Sequence, residues 1–453
     1  MRDICRPGVT MKYANFCDAG RTSVNIGDYL QFIVNDYLLR LMNVSKDEIV
    51  YLGFKELVNY DGEEVVFPFC YSIIDFVKDG RIAISSKITP VFLAVTLSTV
   101  DRFMDVDKFL GDSYNREYLT KYGPIGCRDE ITYEMFQRNN IPAYINGCMT
   151  AAFPRNTELT GDKVLFVDAS RTLLPYLPEM NAEECAYSTQ QYYFKEEEVA
   201  NYKSIFEFVR EKYREYIRTA RLVITSRLHV ALPMAAVGIP VVLAKDNVDG
   251  RFSFIEEYLP IYGKEDYNKI NWKPDVVTWE STKELLLAHA LGRLQNNIDK
   301  SELERMEQKL TGLFQTRKRK KEYKVSHEIT HKNGERFDEY ALRYWKKKEV
   351  IRYAFWGVSE NNLEYWKNYI ETRCPNAMLT AVYDSFRKGE LLGFPYQKPE
   401  EFAKNKEVCV IVCSVGAAQA ALKLFREYGI SEERYCIVSD CFIDDDDIRR
   451  QKK

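Results

Sequence analysis

Apolar positions along the 453-residue chain recur with two periods, and the switches between them sketch the fold. Arg221–Thr225 is a short apolar run of strand type, Leu228–Val237 repeats its apolar positions at helical spacing, and Pro240–Ala244 is a second buried run. This order predicts a βαβ unit with parallel strands and a right-handed crossover. The same alternation predicts a strand over Lys12–Phe16. A helix follows with Tyr29, Leu30, Ile33, Val34, Tyr37, Leu38 and Leu41 on its apolar stripe. Asp28 at its start, with Gln31 three residues on, reads as a capping box. Pro124–Arg128 then predicts a strand, Glu130–Asn139 a helix capped by Asp129, and Ile141–Asn146 and Lys163–Asp168 two more strands. Glu196–Thr219 and Lys283–Leu313 read as long helices.

Strands alternating with helices predict an α/β fold. Pro154–Asp162 is polar and contains Pro and Gly, so it reads as a boundary between an N-terminal Rossmann-like domain, 1–155, and a second one, 156–316, that carries the SRLH motif. Residues 317–349 are charged throughout and predict a linker. Its basic run Arg317–Lys321 is followed by Glu322 and Glu328, which fits a solvated connection better than a nucleic-acid site. Residues 350–453 repeat the pattern as a smaller Rossmann-like α/β domain. Its Gly357 stands alone where a dinucleotide fingerprint needs G-x-G-x-x-G, although Asp384 ends a strand at about the spacing of a ribose-binding acid. The acidic Asp444–Asp447 tail reads as frayed and solvated.

Composition narrows the class. Hydrophobic residues at 46 % with 13 % aromatics predict a folded chain, and the length predicts several domains. A net charge of −3 gives no general attraction to nucleic acid or anionic membrane. The eleven cysteines are scattered without the close pairs of a disulfide framework or zinc site, which predicts a reducing compartment. No Asp/His cluster has metal-ligand spacing, so no metal is expected. MRDICRPGVTMKY has no apolar signal region, and Lys87 and Pro90 interrupt the apolar stretch Ile82–Val100. The expectation is a cytoplasmic protein without an integral membrane segment; peripheral membrane contact and oligomeric state stay open. Cys148 has no His near it in the sequence, which argues against a nucleophile.

Ser226-Arg227-Leu228-His229 falls where a strand hands over to a helix, the end of an open α/β sheet where ligands bind. The free N–H groups of the helix start favour anions there. A permanent guanidinium and a titratable imidazole at such a place predict an anion site with acid–base capability. SRLHVALPMAAVGIPVV followed by DGRFS resembles the polysaccharide pyruvyl transferase family. So do Asn25-Ile26-Gly27-Asp28, Cys127-Arg128-Asp129-Glu130-Ile131-Thr132 and Asn146-Gly147-Cys148-Met149-Thr150, in the family's order, over roughly residues 10–315. Many members carry Asp-Pro-small where this chain has Asn146–Thr150, and a subgroup with a Gly-Cys loop matches better.

The resemblance implies two facing Rossmann-like domains in the GT-B arrangement. It implies transfer of a pyruvyl group from phosphoenolpyruvate to two hydroxyls of a sugar or lipid-linked saccharide, giving a ketal and phosphate, with no cofactor beyond the donor. In that reaction Arg227 suits a bidentate clamp for phosphate or carboxylate. His229, with a reference pKa near ~6.5, suits the proton donor. The helix start should lower that pKa and a bound phosphate should raise it again. Arg251, after the next strand, is expected as a second anion contact. Ser226, Leu228, Asn25, Gly27, Asp28, Arg128 and Asp129 are the remaining candidate substrate contacts, and Arg171 follows a strand end as a further one. Two other readings compete: a nucleotide-sugar glycosyltransferase on the same scaffold, and a non-catalytic sugar- or partner-binding protein whose C-terminal domain is the working part.

Overall fold

In the computed structural model, the described residues are 12–17, 23–97, 105–156, 160–194, 201–256, 258–315 and 327–451. The first sheet lays Ile49–Leu52, Lys12–Phe16, Val65–Phe69 and Ile88–Phe92 side by side, all parallel. Continuous apolar runs such as Val65–Phe69 are buried along their whole length, as parallel strands covered on both faces require. A bridge from Val95 to Cys127 leads on to the pair Ile125–Cys127 and Ala143–Ile145. The second sheet, also parallel, runs Cys185–Ser188, Lys163–Val167, Ala220–Thr225, Val241–Ala244, Ile261–Tyr262.

The predicted βαβ unit is present as Ala220–Thr225, Leu228–Val237 and Val241–Ala244. Gly238 ends its helix at φ 93°, a left-handed position that only Gly takes cheaply, and its N–H returns to the carbonyls of Met234 and Ala235. Both sheets share one hydrophobic core and belong to one compact unit, Met1–Ser326 with Asp444–Lys453. An antiparallel ribbon, Ser23–Asn25 against Gln191–Tyr193, ties the chain before the first helix to the loop after Cys185–Ser188.

The first helix, Ile26–Leu41, corrects the capping prediction. Its N-cap is Asn25, whose side chain accepts from Gly27 N at 3.2 Å, and Asp28 lies inside the first turn. Its apolar stripe is buried as expected except Tyr37, which is partly buried, and Leu41, which is 42 % exposed. The opposite side is buried too, through Gln31, Asn35 and Asp36. Long-range bonds hold two of them: Asn35 Nδ2 donates to the Pro68 carbonyl at 2.8 Å, and Asp36 Oδ2 accepts from Arg210 Nη2 at 2.6 Å. The expected helix Lys283–Leu313 is two helices, Glu280–Gln295 and Lys300–Phe314. Asn296 breaks them at φ 51°, and Asp299 caps the second by accepting from Ser301 N at 2.8 Å.

The second unit, His327–Ile443, has a sheet ordered Glu390–Leu391, Phe394–Gln397, Ala377–Tyr383, Ile351–Trp356, Val408–Val412, Tyr435–Ile437, parallel but for the first hairpin. Separate clusters pack its two faces, Tyr353 and Phe355 on one and Ala354 and Trp356 on the other. This is the predicted small α/β domain with shifted bounds. Much of the presumed linker is the helix His327–Tyr344, which buries Phe337, Tyr340 and Ala341 with Trp345 just beyond it; the basic run Arg317–Lys321 lies outside the described residues. Asp384 spends Oδ1 on the N–H groups of Phe386 and Arg387, both at 2.9 Å, so it closes its own loop.

The acidic tail is not frayed either. Asp445–Gln451 is a helix of the first unit, with Ile448 1 % exposed and Asp447 paired to Arg171 through two bonds of 2.8 and 3.0 Å. That pairing occupies Arg171 Nε and Nη2. Among the described residues every cysteine is a free thiol, and no helix is long and apolar enough to cross a membrane.

Candidate functional site

The site collects at the carboxyl ends of strands from both sheets of the first unit, and His229 is its centre. Leu228–Val237 starts immediately after Thr225-Ser226-Arg227, so the imidazole lies in the first turn of the helix, 11 % exposed. Its Nδ1 is 3.7 Å from Asp28 Oδ1 of the first helix, and its Nε2 is 3.9 Å from Cys148 Sγ, in the loop after Ala143–Ile145. The His229 carbonyl accepts the Tyr213 hydroxyl. Burial, followed by the positive charges of Arg128 and Arg251, lowers its pKa from 6.5 to about 3. The expected lowering is therefore present, and its causes are burial and two arginines.

Gly27 explains how the first helix comes so close. A Cβ there would collide with Gln190 Oε1 and stand 2.8 Å from His229 Cβ, so only glycine lets Asp28 reach the ring. Ile26 N donates to the Gln190 carbonyl at 2.9 Å, which fixes the helix start against the second sheet.

Arg128 and Arg251 approach the ring differently. Arg128 is 5 % exposed, its Nη1 donates to neutral Gln31 Oε1 at 3.3 Å, and its buried Nε has no hydrogen-bond partner among the described residues. Arg251 is held by its own loop: Nε and Nη2 each donate to Asp249 at 2.8 Å. Burial alone would raise the Asp249 pKa, but the Arg251 charge and these bonds bring it down to about 2. Asp129 is the predicted cap, accepting from Thr132 N at 2.9 Å and Thr96 Oγ1 at 2.7 Å. Glu130 N donates to Ser253 Oγ at 3.3 Å, which docks DGRFS on that helix start.

Three predicted contacts have structural partners. Arg227 directs Nε to Asp168 Oδ2 at 2.8 Å, Ser226 Oγ donates to the Asp168 carbonyl at 2.6 Å, and Leu228 is buried in the core. Asp168 was missed as more than a strand end. It takes φ 47° and also accepts from Gln190 N at 3.0 Å, so one buried carboxylate joins three loops. Cys148 was discounted for want of a nearby His; the fold supplies one from 81 residues away.

Asp28, Arg128, Cys148, Asp168, Arg227 and His229 all fall within one matched span. Residues 25–244 match the polysaccharide pyruvyl transferase family. The family match begins at the cap of the first helix and ends with the strand after the SRLH helix, leaving Arg251 just outside. No curated protein matches the chain. Among solved structures, the chain is similar to a functionally uncharacterised protein from Klebsiella pneumoniae subsp. pneumoniae NTUH-K2044, at 14 % identity and a TM-score of 0.30, covering 52 % of this chain and 83 % of that one. Among the described residues, no group of His, Cys, Asp and Glu converges with the geometry to hold a metal ion.

Proposed function

We propose that this protein transfers a pyruvyl group from phosphoenolpyruvate to two hydroxyls of a sugar in a polysaccharide or its lipid-linked precursor. The donor carries a carboxylate and a phosphate, and its methylene carbon must gain a proton before C2 can accept a hydroxyl. The reading rests chiefly on a buried imidazole kept neutral between two arginines, inside the span that matches the family. Such a ring stays unprotonated until an anion arrives. A bound phosphate offsets the Arg128 and Arg251 charges, raises the proton affinity of the ring, and so couples acid–base chemistry to donor binding.

Arg128 is the better anion ligand, because its present partner is a neutral amide and its Nε is unused. Arg251 already spends Nε and Nη2 on Asp249. Arg227, with Nε on Asp168, holds the loop that starts the helix.

Thermal shift of the full chain with phosphoenolpyruvate, phosphate, UDP and GDP tests donor choice without an acceptor. Ligand at about 100 times its Kd adds roughly 2.7 kcal/mol. In a chain of this length that is a shift of about a degree or two. We expect a shift with phosphoenolpyruvate that Arg128→Ala cuts by about half or more, by weakening binding about 1.5–3 kcal/mol. A shift with a nucleoside diphosphate and none with phosphoenolpyruvate would replace the reading by glycosyl transfer. With an acceptor saccharide, phosphate release by His229→Gln should fall at least about 100-fold.

A further inference from the structure

His229 being neutral at rest raises the question of which ring nitrogen carries its hydrogen. Asp28 faces Nδ1 at 3.7 Å, beyond a direct hydrogen bond but close enough for an acceptor-only carboxylate to favour N–H over a lone pair on that side. Cys148 faces Nε2 at 3.9 Å with a group that can donate. The thiol is itself oriented: Sγ lies 3.2 Å from Thr150 Oγ1, and both residues are buried. If the threonine hydroxyl donates to sulfur, the thiol hydrogen is left for Nε2, and Thr150, Cys148 and His229 form a directed chain ending at Asp28. The charges of Arg128 and Arg251 oppose a second proton on the ring.

We propose that Cys148 and Asp28 together fix His229 as the Nδ1–H tautomer, which makes Cys148 a positioning residue and leaves Nε2 as the proton-accepting atom. The catalytic consequence rests on the pyruvyl-transfer reading. A ring that arrives as an acceptor at Nε2 serves as a shuttle and not as a store. The acceptor hydroxyl takes the thiol's place at Nε2, its O–H bond breaks as the proton passes to Nε2 and on to the methylene carbon, and its oxygen then bonds to C2 of the donor. The donor's C2=C3 electron pair forms the new C–H bond, and when the second hydroxyl closes the ketal its O–H bond and the C2–O bond to phosphate break, the phosphate leaving with that proton.

The test uses full-length protein with nitrogen-15 in its imidazoles. The chain has four histidines, and His229→Gln identifies the His229 signals in a long-range proton–nitrogen correlation spectrum at neutral pH. Expected is an Nδ1–H pattern in wild type, a mixed or Nε2–H pattern in Cys148→Ala, and the wild-type pattern again in Cys148→Ser. The buried His289 serves as the check that the variants remain folded. An Nε2–H ring in wild type, or an unchanged ring in folded Cys148→Ala, overturns the proposal. If Cys148→Ala does not fold, Asp28→Asn must disturb the tautomer instead, and an unchanged ring there overturns it equally. In a transfer assay Cys148→Ala should lower kcat about tenfold with little change in donor KM, and Cys148→Ser should recover most of it. Wild type without any pyruvyl transfer would sink the functional reading while the spectra still decide the tautomer.

Discussion

His229 and Asp249 are both held in the charge state that burial among arginines dictates, and this gives the folded protein a sign of pH dependence. An unfolded chain protonates His229 near pH 6.5, whereas the folded ring does so only near pH 3. Between those values the unfolded state binds more protons, so stability falls as pH falls, by ~1.4 kcal/mol per pH unit for one group. Asp249 acts in the same direction, but only from about its ordinary 3.8 down to about 2, below most of the histidine's window; Asp129, raised by burial, acts oppositely and equally in wild type and variant. His289 is also lowered by burial and contributes equally to wild type and variant. The urea midpoint of wild type should therefore fall more steeply than that of His229→Gln across this window; parallel curves would mean that the folded ring titrates normally. Asp168 supports the same site from below. Asp168→Ala removes the carboxylate oxygen that accepts from Arg227 Nε and Gln190 N, and we expect a loss of about 3 kcal/mol in chemical denaturation.

At the scale of elements, the βαβ unit was legible because its strand and helix periods and its Gly-Ile-Pro stop are all local signals. The helix Leu228–Val237 and the Asp129 cap came out with the residues expected. The cap of the first helix did not. Asn25 and Asp28 are both good caps by type, and the choice between them is made by the Ile26–Gln190 bond across 164 positions, which no local pattern carries. The same holds for the site: Arg128, Cys148 and His229 were each visible as residues at strand or helix ends, but their meeting depends on how two sheets face one shared core. Gly27→Ala probes that meeting directly. The added methyl forces the first helix away from His229 and Gln190, at a cost of about 1–3 kcal/mol. Donor binding should weaken with it, as titration calorimetry would show. An unchanged affinity and stability would mean that the helices can slide apart freely.

For the whole molecule, the chain leaves the first unit at Ser326, builds the second, and comes back at Asp444 to finish the first. The return was illegible because an aspartate run followed by arginines looks solvated until Ile448 finds its apolar seat and Asp447 finds Arg171. Replacing Ile448 by Ala should cost about 2–4 kcal/mol, with faster hydrogen exchange in the edge strand Cys185–Ser188 and unchanged exchange in Ile351–Trp356. Acceleration of neither, or acceleration of both, would contradict a seat on the first unit. Arg171 and Asp447 stand 276 residues apart in sequence. During synthesis the arginine is therefore made long before its carboxylate exists, and the first unit waits, nearly assembled, while an entire second unit emerges. A nonsense mutation after Ile443 would spare both sheets and every residue around His229, yet leave an enzyme-like body with its last clasp undone.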